Sequence, residues 1–114
     1  MNNKRRNAIE KNKNEIINVV YGVYSEDSNK ICTMLEDYKS KIEDILIEEQ
    51  DAFDNMPEGL QYSMRGEDSQ EAIEQLEEAV DIMDRLIDYF AEGKNVEEEL
   101  DKMLDELIDM LTIL

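Results

Sequence analysis

This chain has no histidine and no tryptophan, and only one cysteine, one proline and four glycines in 114 residues. Each scarcity excludes something. Without histidine, a serine or cysteine nucleophile has no imidazole to activate it, and a carboxylate-bridged di-iron bundle, which needs Glu-x-x-His, cannot be built. A single cysteine, Cys32, closes no disulfide within the chain, so a reducing interior is the expected setting. Few turn residues, and no period-two runs of β-branched or aromatic residues, disfavour sheets. No stretch approaches the roughly 18 apolar residues of a membrane span. The opening MNNKRRNAIEKNKN lacks the apolar centre of a signal peptide. We therefore expect a soluble cytoplasmic protein with no metal or cofactor and no membrane partner.

Acid is what the chain has in excess. Thirty Asp and Glu face twelve Lys and Arg, for a formal charge of −18, yet 41% of residues are hydrophobic, enough for one core. The charge is unevenly spread. Residues 1–14 carry Lys4, Arg5, Arg6, Lys11 and Lys13 against Glu10, whereas Glu67–Asp109 holds 17 acids against Arg85, Lys94 and Lys102. Such density repels nucleic acid and anionic membranes and attracts basic protein surfaces.

Hydrophobic periodicity predicts an all-α fold: a three- or four-helix bundle, or an elongated helical hairpin, with a coiled-coil-like core in one domain over residues 1–114. Helices are expected at about 4–24, 29–54, 69–92 and 95–114, with a loop over 55–68. The first carries Ile9, Ile16, Val19, Val20 and Val23 on one side; Gly22 and residues 25–29 either break or kink it, with Ser25 or Ser28 as a cap. The second carries Ile31, Leu35, Tyr38, Ile42, Ile45 and Phe53, and stops before Pro57 and Gly59. The third, capped by Asp68 or Ser69, places Ile73, Leu76, Val80, Met83, Ile87 and Phe90 at a and d of successive heptads, widened by Ala72, Ala79 and Leu86. Gly93 ends it. Asn95 then caps a fourth helix with Glu97, Glu98 and Glu99 in its first turn and a stripe of Val96, Leu100, Met103, Leu107, Met110 and Leu114. That stripe runs to the last residue, so the N-terminal helix, another subunit or a partner must cover it. Leu107, Met110, Leu111 and Leu114 are the candidate homo-oligomer interface.

The run Asp54-Asn55-Met56-Pro57-Glu58, with Leu60-Gln61, Ser63, Arg65-Gly66, Glu71-Ala72-Ile73, Leu76-Glu77 and Ala79-Val80, resembles small acidic helical proteins encoded by phages, plasmids and integrated elements of Gram-positive bacteria. The opening Met1-Asn2-Asn3-Lys4-Arg5-Arg6 and the lead-in Glu49-Gln50-Asp51-Ala52-Phe53 fit the same pattern. The likeness covers residues 1–16 and 43–88. It implies a mobile-element origin, a bacterial host cell and a helical hairpin about the Pro57 loop, and it implies no activity.

The acidic helices bear the functional reading. Glu74, Glu77, Glu78, Asp81 and Asp84 lie off the core stripe of the third helix, where they could meet a basic, nucleic-acid-binding host protein in place of phosphates. Tyr62 and Arg65 are candidate anchors beside them, since aromatic and Arg residues carry disproportionate interface energy. The expected function is non-enzymatic: inhibition of such a protein by charge mimicry, of an anti-defence or anti-CRISPR kind. The plainer reading of the same acids is solubility. A structural or assembly coiled coil is the alternative. An all-α nucleotide pyrophosphohydrolase is more distant, because Glu48-x-x-Asp51 and Glu78-x-x-Asp81 imitate its Mg²⁺ ligands only as any acid-rich helix would.

Overall fold

Asn2 opens the first helix by accepting the Arg5 backbone N–H on its side chain at 2.9 Å. A computed structural model describes residues 1–114 throughout. Its helices are α1 (Asn3–Val20), α2 (Ser28–Asp54), α3 (Glu58–Gln61), α4 (Met64–Ala91) and α5 (Glu97–Ile113). They take up 82% of the chain and no strand is present, which makes the fold all-α. α1 packs against α2 and α5, and α4 against α2 and α5. Short connections force neighbours to run antiparallel, so the result is an up-down-up-down four-helix bundle. It is a rod of 50 × 21 × 19 Å.

Two glycines place the ends. Gly22 (φ +75°) and Gly93 (φ +67°) take the left-handed conformation that other residues resist. Gly22 N–H bonds to Val19 C=O and Val23 N–H to Asn18 C=O; Gly93 and Lys94 repeat the pattern on Phe90 and Tyr89. Both are Schellman closures, which satisfy carbonyls the helix leaves open. The segment after Gly22 is therefore a break, and α1 ends at Val20 rather than Tyr24. Val23, expected in the core, is exposed. Asp27, not Ser25 or Ser28, caps α2 by accepting from the Asn29 N–H. Val96 occupies the N-cap of α5 in place of Asn95, and its N–H is satisfied by the hydroxyl of buried Tyr89 at 2.8 Å.

The expected loop at 55–68 is mostly helix. α3 forms within it, and α4 starts at Met64 behind Ser63, five residues before the expected start. Gly66 explains why. A Cβ there would stand 2.1 Å from the Gln61 carbonyl oxygen and 2.6 Å from that of Leu60, so the last carbonyls of α3 lie directly against the first turn of α4. Gln61 secures the other side by donating its side-chain amide to the Phe53 carbonyl of α2 at 3.0 Å.

The core is rotated from the heptad reading. On α4 the buried residues are Ala72, Leu76, Ala79, Ile82, Met83, Leu86 and Tyr89, while Ile73, Val80, Ile87 and Phe90 are half-buried flanks. On α5 they are Leu104, Leu107 and Leu111. A strict a/d stripe suits a helix with one neighbour; α4 has two, so its buried arc is broader and centred between them. Each fully buried Leu or Ile contributes roughly 1.5–3 kcal/mol over its exposed state. The α5 stripe is covered within the chain. Leu107 and Leu111 are 1% and 3% exposed, and Met110 and Leu114 pack half-buried on the same core. The candidate oligomer interface thus lies inside the bundle, because α1 and α4 close over it.

Candidate functional site

Amphipathic periodicity puts one face of α4 in solvent because the opposite face holds Leu76 and Met83. Glu74, Glu77, Glu78, Asp81 and Asp84 all lie on that outer face and are exposed. They cover about 15 Å of helix axis at 1.5 Å per residue. Asp84, at the edge of the row, meets Lys39 of α2 at 2.6 Å, and this hydrogen bond holds the Lys39 ammonium above its ordinary pKa. Arg85 reaches towards Glu106 of α5 at 3.8 Å. Beyond it, Glu97, Glu98, Asp101, Asp105, Glu106 and Asp109 line an outer groove of α5, relieved only by Lys102. The row on α4 therefore continues as an acidic flank.

Of Tyr62 and Arg65, only Tyr62 stands near this row. Both are exposed, Tyr62 to 80%. They precede or open α4 at the end of the rod, and at 100° per residue Arg65 points away from Glu74 and towards the side that becomes the core. There it lines a cleft with Arg5, Arg6, Asn55, Pro57, Asp68 and Ser69. Arg65 is thus separate from the acidic row in orientation, whereas Tyr62 lines a hollow with Glu67 and Gln70, which share the Glu74 face of α4.

Behind that cleft is a residue the sequence reading passed over. Glu49 is 1% exposed in a helix whose other buried residues are all apolar. Its Oε2 accepts from Arg5 Nε at 2.9 Å, and its Oε1 accepts from the Ser69 hydroxyl at 2.8 Å and lies 3.5 Å from the Met1 amino nitrogen. Three donors from α1, α4 and the chain start meet one carboxylate of α2. A trace was visible: position 49 follows Ile42 by seven and Ile45 by four, so an acid stands where the stripe calls for a core residue. Ser69, expected as a helix cap, serves here instead.

The other candidate chemistry is spread out. Glu48, Asp51, Glu78 and Asp81 are all in solvent, and no three Cys, Asp or Glu side chains converge to hold a metal ion. The Cys32 thiol donates to the Ile87 carbonyl at 3.5 Å, bridging α2 and α4. Burial first, and then the charges of Glu36 and Asp88, push its pKa up, the opposite of what an attacking thiolate needs. No helix is long and apolar enough to cross a membrane. The fold and surface together define a helical bundle with an acidic flank. No family model, curated protein or solved structure matches the chain.

Proposed function

We propose that this is a non-enzymatic interaction protein that docks its acidic α4 face on a basic surface of a nucleic-acid-binding protein and so occupies the place of phosphates. One observation carries the reading: five exposed carboxylates lie along a single rigid face of α4, backed by the core. Five charges over about 15 Å leave four gaps averaging ~3.8 Å, close to the one charge per ~3.4 Å of a single DNA strand. A helix holds that spacing without ordering cost at the moment of binding, which a disordered acidic tail would have to meet. On this reading the setting is the cytoplasm of a bacterial host carrying a mobile element, with a defence nuclease among the fitting targets.

The test is capture from a bacterial lysate at low salt by the full chain, followed by DNA competition on the captured protein. A basic DNA- or RNA-binding protein released by added duplex is the expected result. Glu77→Lys with Asp81→Lys should slow its association about tenfold or more, because long-range attraction acts mainly on the on-rate. Association unchanged in that double variant at low salt would remove the reading.

A further inference from the structure

The end of the rod near Pro57 has a chemistry opposite to its flanks, and it goes beyond the acidic-face reading. The start of α1, the end of α2 and the start of α4 enclose a cleft of about 540 Å³ there, within the size range of small-molecule sites. Arg5, Arg6 and Arg65 all line it. Arg5 is bound to the carboxylate of the buried Glu49. Arg6 spends its Nε–H on an oxygen of the terminal Leu114 carboxylate at 2.9 Å, which leaves its two terminal amino groups. Arg65 has no carboxylate within 4.0 Å although Asp68 sits three residues on, and this in a chain with thirty acids. Met56, Pro57, Leu60 and Ala52 supply apolar wall, and Glu49 behind it, bound to Arg5 and Ser69, ties together the three helices that carry it.

We propose that this cleft binds a small organic monocarboxylate, with its oxyanion on Arg6 and Arg65 and its apolar body against Met56, Pro57 and Leu60. Charge selects the monoanion. Counting the Met1 ammonium, which also lines the cleft, and the terminal carboxylate of Leu114 that Arg6 holds, four positive groups face three negative ones, an excess of one positive charge. A carboxylate neutralises it. A phosphate monoester, at about −1.5 to −2, overshoots it inside a chain of formal charge −18. Guanidinium forks match a carboxylate in two parallel hydrogen bonds, so two of them on different helices give direction as well as charge.

The experiment titrates the full chain with hexanoate, phenyl phosphate and inorganic phosphate, following backbone and Arg side-chain amide resonances. Saturable shifts with hexanoate at residues 52–57 and 65–69 are expected, with phenyl phosphate binding more weakly. Arg65→Ala should weaken hexanoate about tenfold or more, and Arg65→Lys should recover only part of that, since a lysine cannot form the fork. Arg65 is exposed and unpaired, so these variants should melt as the parent does; Lys102→Ala, on the far flank, should bind as the parent does. No saturable shift with hexanoate, unchanged binding by Arg65→Ala, or phenyl phosphate binding as tightly as hexanoate would each overturn the proposal. Failure of all three leaves the lysate result at the α4 face untouched, so the two readings stand or fall separately.

Discussion

The carboxylates on the outer face of α4 and the carboxylate of Glu49 are the same functional group in opposite surroundings. The first are exposed and, apart from Asp84, have no cation within salt-bridge distance; the second is sealed in and accepts from Arg5 and Ser69. Water screens the outer row, so each of its members acts at long range and contributes little alone. Glu49 acts only on what it touches, and what it touches joins α1, α2 and α4. In a chain rich in acid, abundance therefore marks the surface, and the acid standing in core register marks the structural pin.

The sharpest way to break this comparison is to remove the pin. Glu49→Leu leaves the Ser69 hydroxyl and the Met1 ammonium buried, and the Arg5 guanidinium part-buried, with no acceptor, and loss of about 3–5 kcal/mol is expected in urea unfolding. Adding Arg5→Met and Ser69→Ala should restore part of it, because two of the three donors are then apolar and only the Met1 amino group is left without its acceptor. A single variant within about 0.5 kcal/mol of the parent, the range of ordinary surface changes, would mean that Glu49 is no different from the outer row.

Next in size is the joint between α3 and α4 beside the pin. Gly66→Ala drives a Cβ into backbone carbonyls that cannot swing aside as a side chain would. A loss of about 2 kcal/mol or more is expected. Gly59→Ala is the control: nothing lies within 4 Å of its Cβ position and its φ is not left-handed. It should be neutral or slightly stabilising. Equal losses at both positions would show that helix propensity, not the close approach, decides.

The order and class of the four long helices were legible because they follow from the period of Ile9–Ile16, Leu35–Ile42, Leu76–Met83 and Leu104–Leu111, which local physics alone sets; the short α3 within the expected loop was not. The exposure of Glu74, Glu77, Glu78, Asp81 and Asp84 was legible for the same reason. The rotation of α4 was not, since which arc of a helix is deepest depends on how many neighbours it has, and Ile82 and Tyr89 become core only once α5 folds back. Leu107 and Leu111 looked uncovered because the covering helix lies some ninety residues earlier. The arginine cleft needs residues 5, 6 and 65 in one place, a juxtaposition no local pattern encodes.

A smaller effect lies midway between pin and surface. The half-buried Tyr38 of α2 donates its hydroxyl to Glu15 of α1, and that bond, with burial and the neighbouring negative charge adding to it, pushes the phenol up to about 12. An unfolded tyrosine ionises near ~10, so the folded state holds this proton more tightly. The stability it brings is complete below pH ~10 and drains away as pH rises towards about 12. Lys39, raised by Asp84, works in the same direction. Tyr38→Phe should cost about 1 kcal/mol at neutral pH, flatten the alkaline limb of the stability curve and remove the latest phenolate absorbance step. An unchanged alkaline titration would sever Tyr38 from the α1–α2 contact.

The smallest expected effect sits on the outer row itself, and its smallness is the point. Glu77→Lys with Asp81→Lys replaces two exposed carboxylates by two ammonium groups and moves the net charge four units towards zero. Neither residue touches the core or a cation, so unfolding free energy should stay within about 0.5 kcal/mol of the parent or rise slightly as self-repulsion eases. Added salt should raise the melting temperature of the parent and raise that of the double variant less, since there is less repulsion left to screen. A loss approaching that of Glu49→Leu would place these carboxylates in the folding machinery, and the α4 face could then no longer be read as a surface kept free for a partner.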